Sequence, residues 1–244
     1  MEQEPKIANI EKSWPIMVSY GEPNEETEPE ITQRLFDLMH TNRDVPGVHN
    51  VDWSSNPPYV ISPLDGIDKF SMEFYPCIGV VVCGKDKNTG AEISFLCHCE
   101  LPFRGLKKTF KGKFEGAIRD MVHSISERCD SSTIDAVMIG GNYLPDNEMT
   151  DSKVNHIEAI KYLGGLLVNE GLKPVVVGGP KLEDARDDVY YDTKNRRLYL
   201  MRDPFYQNGR PDKFRPPYNP QDIDQVSKEW KHEFEKDPSS DQNN

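Results

Sequence analysis

Residues 71–103 constrain the fold of this chain more than any other stretch. They contain two short β-branched apolar runs, residues 78–83 and 93–99, separated by the turn-forming residues 85–90. Apolar runs of this length on either side of such a turn predict an antiparallel β-hairpin. The start of its first strand and the end of its second strand then meet at one end of the hairpin.

A thiol and an imidazole, Cys77 and His98, lie at that end. If the pairing is symmetric about Lys87 and Asn88, their Cβ atoms lie about 5 Å apart. A left-handed bulge at Gly90 would shift the pairing by about three residues, so the register stays open. Either register keeps the two groups at the same end, as a nucleophile and its base require. The alternative interpretation of Cys77 is a buried structural thiol, because free cysteine is among the most buried residue types.

The two cysteines that flank His98 do not predict a metal site. Side chains alternate along a strand, so Cys97 and Cys99 should lie on one face and His98 on the other. The spacing also matches none of the usual zinc patterns. Cys83 and Cys129 are predicted to be packing residues, and no metal or other cofactor is expected.

The chain after the hairpin predicts a regular order of elements. The patterns indicate helices at 114–129 and 154–170, strands at 134–139 and 173–177, and a hairpin formed by 189–191 and 197–201. The order β-β-α-β-α-β-β-β predicts an α+β domain over residues 59–202, with mixed, sandwich-like β-sheets flanked by helices. Neither GxGxxG after a strand nor GxxxxGK[ST] occurs, so nucleotide-binding loops are not predicted.

Polar extensions flank this domain. Residues 1–58 form an N-terminal extension with one amphipathic helix at 29–41 and a strand at 15–20, and residues 203–244 combine a proline- and aromatic-rich arm, a short helix and a disordered tail. A basic loop is predicted at 104–113. His123 and His156 are predicted to be surface or helix-cap residues, and the acidic pair Asp187-Asp188 is predicted to lie on a solvated face.

Composition limits the partners and the compartment. The net charge of −12 and the pI of about 5.0 argue against nucleic acid or an anionic membrane as a main partner. Apolar runs are too short to insert into a membrane, and the charged N-terminus lacks the apolar region of a signal peptide. Five cysteines without a disulfide-framework spacing favour a reducing compartment, so the sequence predicts a cytoplasmic protein.

Several motifs occur in an order that resembles a known family. Ser71 lies six residues before Cys77, a turn with Asp86 and Gly90 follows, and His98 begins the motif HCELP. This order resembles the chemoreceptor glutamine deamidase (CheD) family, in which a threonine precedes the catalytic cysteine by six residues and the catalytic histidine precedes Leu-Pro. Further similar segments extend the resemblance to about residue 202: IGGNYL at 139–144, NHIEAI at 155–160, VGG at 177–179 and the closing hairpin at 189–202.

The resemblance implies a fold and an activity. It implies a CheD-like fold and a cysteine-dependent protein glutamine deamidase, with Cys77 as nucleophile, His98 as base and Ser71 as the residue that orients the imidazole. The implied partner is a protein that presents an exposed glutamine. Cytotoxic necrotizing factor-type deamidases are distant relatives of that family with the same Cys-His chemistry, so an exported effector without a classical signal peptide is a second expectation for localisation.

Two other functions stay open. Tyr75-Pro76 replaces the small residues that the family has before its cysteine, and the interval from Cys77 to His98 is about four residues longer. These differences would also suit a catalytically inactive binding module that acts through protein–protein contacts, with the aromatic arm as its docking surface. Another amide or ester hydrolase with the same Cys-His pair is the third hypothesis.

Overall fold

The computed structural model describes residues 10–13, 16–39, 45–52, 57–74, 77–100, 108–140, 151–178, 186–203 and 220–235. These ranges hold eleven strands and four helices. The strands are β1 (Ile10–Ser13), β2 (Met17–Tyr20), β3 (Val48–Asn50), β4 (Tyr59–Ile61), β5 (Asp68–Phe74), β6 (Ile78–Lys85), β7 (Glu92–Cys99), β8 (Asp135–Gly140), β9 (Val175–Val176), β10 (Arg186–Asp192) and β11 (Arg197–Asp203). The helices are α1 (Pro29–Asp37), α2 (Lys108–Arg128), α3 (Asp151–Asn169) and α4 (Pro220–Glu235).

The strands form two mixed sheets that pack face to face. The six-stranded sheet has the order β1-β2-β11-β10-β5-β3, and the five-stranded sheet has the order β4-β7-β6-β8-β9. Buried apolar side chains from both sheets form the core between them, among them Val81 and Leu96 from one sheet and Val189 and Leu198 from the other. The predicted α+β class, with sandwich-like mixed sheets flanked by helices, is confirmed.

Helices cover the two outer faces of this sandwich. The outer face of the five-stranded sheet packs against α2 and α3, for example through Phe95, Phe114 and Leu163, and α4 joins the same core. On the six-stranded sheet, Ile31 and Leu35 of α1 are buried in one cluster with side chains of β5, β10 and β11. The described residues therefore stack in four layers: helix, sheet, sheet, helices.

The N-terminal extension contributes to the six-stranded sheet. Its β2 pairs in parallel with β11, and its β3 pairs in parallel with β5. Helix α1 is tied to the sheet by Asp68, whose carboxylate accepts hydrogen bonds from Arg34 Nη1 at 2.8 Å and from the Tyr190 hydroxyl at 2.7 Å. The sequence predicted α1 and β2 but not β1, β3 or β5.

From the hairpin onward, the predicted order of elements is confirmed. One prediction is wrong: α2 begins at Lys108, so residues 108–113 of the predicted basic loop are helical. Helix α4 confirms the predicted C-terminal helix. Most of the predicted arm and all of the predicted tail, residues 204–219 and 236–244, lie outside the described residues.

Burial corrects two predictions about polar residues. His156, Asp187 and Asp188 were expected at the surface but are only 5%, 1% and 6% exposed. His156 lies three and four residues before Ala159 and Ile160, so the helical period places it on the same sheet-facing side of α3. Asp187 and Asp188 lie on β10, inside a pairing that the sequence did not predict. His123 is exposed, as predicted. None of the helices in the described part of the chain is long and apolar enough to cross a membrane.

Candidate active site

The hairpin that carries the candidate residues forms in a register different from the symmetric one. Gly79, not Cys77, lies opposite His98 on the paired strands β6 and β7. The turn sets this register: Asp86 Oδ1 accepts hydrogen bonds from the amides of Asn88 and Thr89, and Gly90 adopts a φ of 69°. The symmetric register is therefore wrong by two residues. An even shift keeps side chains on their predicted faces, so Cys77 and His98 still share one face.

Cys77 lies immediately before β6, in the core between the two sheets. It is 5% exposed and belongs to the same cluster of buried residues as Phe74 and Leu96. It directly precedes Ile78, the first residue of the ladder, and so lies two residues before Gly79, which pairs with His98. All five cysteines of the chain are buried thiols, not disulfides.

Two glycines let the backbone segments next to Cys77 approach each other closely. Gly140 ends β8 with a φ of 86°, and a Cβ atom there would lie 2.5 Å from the carbonyl oxygen of Cys77. A Cβ atom at Gly178 would overlap the carbonyl oxygen of Gly140. The ends of β8 and β9 and the start of β6 therefore converge at one edge of the five-stranded sheet, beside the thiol.

Ser71 lies on β5 of the opposite sheet and contacts His98 across the core. Its Oγ lies 2.7 Å from His98 Nδ1 and 2.6 Å from the carbonyl oxygen of Val51. A serine hydroxyl has one hydrogen, and a carbonyl can only accept, so Ser71 donates to Val51. Ser71 Oγ must then accept from Nδ1–H of His98. This arrangement fixes the tautomer of the imidazole and leaves the lone pair on Nε2.

The environment of His98 keeps the imidazole neutral. The ring is fully buried, and Nε2 has no hydrogen-bond partner within the described ranges. Burial lowers the pKa of His98 to about 3, and the nearby Val51 carbonyl acts in the opposite direction. A neutral imidazole with an unprotonated Nε2 has the form that a general base requires.

Two groups at this site were not predicted from the sequence. The ring of Phe74 stacks on the imidazole of His98, with the centroids 4.0 Å apart and the planes 19° apart. The Val51 carbonyl, which comes from the N-terminal extension, holds the Ser71 hydroxyl. A main-chain carbonyl leaves no trace in the sequence, and alternation along β5 would place Phe74 on the face opposite to Ser71.

The predicted separation of His98 from its neighbouring cysteines is confirmed. Cys97 and Cys99 lie in the core beneath the helices, on the other face of β7. Burial raises the pKa of the Cys99 thiol, whose Sγ donates a hydrogen bond to the carbonyl of Ile78 at 3.3 Å. Across the residues that the structure describes, no group of three or more His, Cys, Asp or Glu side chains is arranged to hold a metal ion.

Neither the protein-family models nor the curated proteins compared with the chain give a match. The function must therefore be inferred from the geometry itself. The structure brings all three predicted residues, Ser71, Cys77 and His98, to the core between the sheets. Gly141, Asn142, Tyr75 and Pro76, which the sequence also singled out, lie outside the described residues.

Proposed function

We propose that this protein is a cysteine-dependent protein glutamine deamidase that uses Cys77, His98 and Ser71. The observation that supports the proposal most strongly is the chain of contacts from Val51 O through Ser71 Oγ to His98 Nδ1. It leaves the Nε2 lone pair of His98 available on the face of the sheet that also carries Cys77. A nucleophile, a base and a group that orients the base are the parts of a catalytic triad.

In the proposed reaction, Cys77 attacks the side-chain carboxamide of a protein glutamine. His98 Nε2 removes the proton of the thiol, and the sulfur forms a bond to the carboxamide carbon. Backbone amides near Cys77 stabilise the oxyanion, at about 3 kcal/mol per donor. The imidazolium then donates its proton to the carboxamide nitrogen, which leaves as ammonia. The acyl group remains bound to Cys77 as a thioester. A water molecule, deprotonated by His98, hydrolyses the thioester to a glutamate side chain and the free thiol.

The low pKa of His98 determines when the proton moves. With a pKa of about 3, the imidazole stays neutral at neutral pH in the unliganded protein. A stable thiolate–imidazolium pair is therefore not the resting state. Proton transfer accompanies the attack of the sulfur, and Ser71 supports the charge that then develops on the ring. No metal or cofactor takes part in these steps.

The first test measures the reactivity of each cysteine. The protein is treated with iodoacetamide near neutral pH, and the modification of each cysteine is followed by mass spectrometry. We expect Cys77 to react at least tenfold faster than Cys83, Cys97, Cys99 and Cys129, which are fully buried. His98→Asn keeps an N–H donor toward Ser71 and removes Nε2, so it should slow the alkylation of Cys77.

The second test measures catalysis. Candidate protein substrates are incubated with the enzyme, ammonia is quantified, and the substrate is searched for a one-dalton gain at glutamine. Cys77→Ala should abolish both signals. Cys83→Ala is the matched control, because Cys83 lies on the same face of β6 and should retain activity. Ammonia release that persists in Cys77→Ala would disprove the mechanism.

One observation favours a second candidate function, a binding module without catalytic activity. Cys77 is only 5% exposed and His98 is fully buried, which suits a site that no longer admits a substrate. In that case Cys77 should react no faster than the other four cysteines until the protein unfolds. Equal alkylation rates in the wild type and in His98→Asn would favour this function over the deamidase.

A further inference from the structure

Strand β5 contains a bulge immediately before the candidate site. Ser71 pairs with Val189 and Phe74 pairs with Asp187, so Met72 and Glu73 together lie opposite one residue, Asp188. Glu73 adopts a φ of 64°, which is uncommon for a residue with a side chain. Its amide donates to Asp188 Oδ1 at 2.8 Å. Arg186 Nη1 lies 2.7 Å from Glu73 Oε1. The bulge is therefore held by contacts with β10.

The bulge changes the face to which Phe74 points. In a regular strand, residues three positions apart face opposite sides of the sheet. Ser71 and Phe74 are three apart, yet both lie on the inner face, where each contacts His98. Met72 packs with the outer cluster beneath α1. The extra residue in the bulge thus redirects Phe74 from the outer face to the imidazole.

Two glycines of the opposite sheet make room for the redirected ring. A Cβ atom at Gly79 would lie 2.8 Å from Cε1 of Phe74, and one at Gly140 would lie 2.9 Å from its Cδ1. These are closer than Cβ contacts in real proteins, so any other residue at either position would displace the ring. Phe74 is fully buried between these backbones and the imidazole.

We propose that Phe74, aimed by the Glu73 bulge, is a positioning residue that sets the plane of the His98 imidazole and so preserves the tautomer that Ser71 selects. Ser71 holds one edge of the ring through the hydrogen bond to Nδ1. With that bond alone, the ring could still rotate about the axis of the hydrogen bond. The stacked ring of Phe74 removes this freedom and excludes water from the face that it covers. Ser71 and the Val51 carbonyl lie at the edge of the imidazole, and Phe74 covers one face of the ring. Cys77 lies on the same face of the five-stranded sheet as His98.

The positioning itself is independent of the proposed function, and only its catalytic meaning rests on the deamidase proposal. The test therefore reads His98 directly, by ¹⁵N and ¹³C NMR of histidine-labelled protein. In the wild type we expect His98 to remain in the Nδ1–H tautomer from pH 8 to pH 5, without protonation. Phe74→Leu keeps an apolar side chain but removes the stack, so a second tautomer and protonation above pH 5 should appear.

Phe95→Leu is the matched control for the loss of a buried phenylalanine. Phe95 lies on β7 three residues before His98, is fully buried and packs on the opposite face. Phe95→Leu should lower the free energy of unfolding by about as much as Phe74→Leu and should leave the His98 signals unchanged. If Phe74→Leu also leaves them unchanged, or if Phe95→Leu alters them equally, the positioning role is wrong.

The bulge has its own pair of variants. Asp188→Ala removes the acceptor of the Glu73 amide and should produce the same change in the His98 signals as Phe74→Leu. Asp188→Asn keeps an acceptor oxygen and should restore the wild-type signals. Glu73→Gly suits the positive φ and should also leave them at wild type. An Asp188→Ala protein that is folded and shows wild-type His98 signals would overturn the role of the bulge.

Activity distinguishes a failure of this inference from a failure of the proposed function. If Phe74→Leu changes the His98 signals in a protein that releases no ammonia from any substrate, the positioning role stands and the deamidase proposal fails. If Phe74→Leu lowers ammonia release with unchanged His98 signals, the deamidase proposal stands and the positioning role fails.

Discussion

At the scale of single residues, the hydrogen bond that the structure describes for the His98 imidazole comes from the opposite sheet. The imidazole is on β7, and its hydrogen bond is to Ser71 on β5. Ser71 in turn is held by the Val51 carbonyl, directly after β3. The state of one side chain therefore depends on the correct packing of two sheets, which ties the chemistry of the site to global stability.

This burial predicts a pH dependence of stability. In the unfolded chain His98 has its ordinary pKa of 6.5, whereas in the folded protein burial lowers the pKa to about 3. The unfolded state therefore binds a proton that the folded state excludes. The stability contributed by the neutral, buried His98 is fully present above pH 6.5. As the pH falls from 6.5 toward 3, the free energy of unfolding decreases by about 1.4 kcal/mol per pH unit.

The measurement compares denaturant unfolding at pH 7 and pH 5. The wild type should lose about 2 kcal/mol more than His98→Asn over this interval. His232→Asn is the control for the loss of a histidine that is exposed on α4. An equal loss in the wild type and in His98→Asn would show that the folded protein does not exclude the proton.

At the scale of elements, α4 is fixed to α3 through a notch at Gly164. A Cβ atom at Gly164 would overlap the ring of Phe234, whereas nothing lies within 4 Å of a Cβ atom at Gly165. The Ser227 hydroxyl also donates to the carbonyl of Val176 on β9. Helix α4 therefore lies beside the last strand of the five-stranded sheet.

Two adjacent glycines in α3 provide a matched pair of substitutions. Gly165→Ala should raise the free energy of unfolding by up to about 1 kcal/mol, because alanine favours helix. Gly164→Ala brings the same gain in helix propensity but displaces Phe234. It should therefore raise the free energy of unfolding by less than Gly165→Ala, or lower it. Denaturant unfolding measures both, and limited proteolysis should cleave α4 faster in Gly164→Ala. Equal stabilisation by both variants would contradict the notch.

The sequence predicted these elements unevenly, for physical reasons. The hairpin and the order of elements after it follow from apolar periods and turn residues, which are local signals. Strand β5 was not predicted because Lys69 and Ser71 put polar groups on its inner face and the Glu73 bulge breaks its alternation. The hairpin register depended on side-chain hydrogen bonds of Asp86 within the turn, which composition does not reveal.

The candidate site shows the same division. Residue types and spacing indicated Cys77 and His98, and the family resemblance added Ser71. The structure places Ser71 against His98 and Cys77 in the core between the same two sheets. The support of His98 could not be predicted, because it depends on a main-chain carbonyl at Val51 and on the changed face of Phe74. Both contacts join segments that only the sheet topology brings together.

At the scale of the whole molecule, Asp68 joins the N-terminal helix to the six-stranded sheet. Its carboxylate accepts from Arg34 at 2.8 Å, from the Tyr190 hydroxyl at 2.7 Å and from the Thr193 amide at 2.9 Å. Asp68 is itself buried, so its contacts with Tyr190 and Thr193 are shielded from water. The extension and the sheet should therefore unfold together.

Substitution of Asp68 tests this coupling. Asp68→Ala leaves the buried Tyr190 hydroxyl and the Thr193 amide without this acceptor, and should lower the free energy of unfolding by about 2 to 4 kcal/mol. Glu30→Ala removes an exposed carboxylate of α1 and should stay within about 0.5 kcal/mol of the wild type. Both variants should unfold in one transition, followed by circular dichroism and tryptophan fluorescence together. A separate transition of the extension would show that it is not part of the cooperative unit.

The pairing of β2 with β11 also has a consequence for biosynthesis. Met17 lies next to Arg197 in the sheet, so β2 leaves the ribosome long before its parallel neighbour β11. At about 5 to 20 residues per second, that interval is roughly ten to forty seconds. During this time the edge of β2 has no native neighbour on the β11 side. We therefore expect nascent chains that stall before residue 197 to need chaperones, and the six-stranded sheet to assemble only after residues 197–203 have been synthesised.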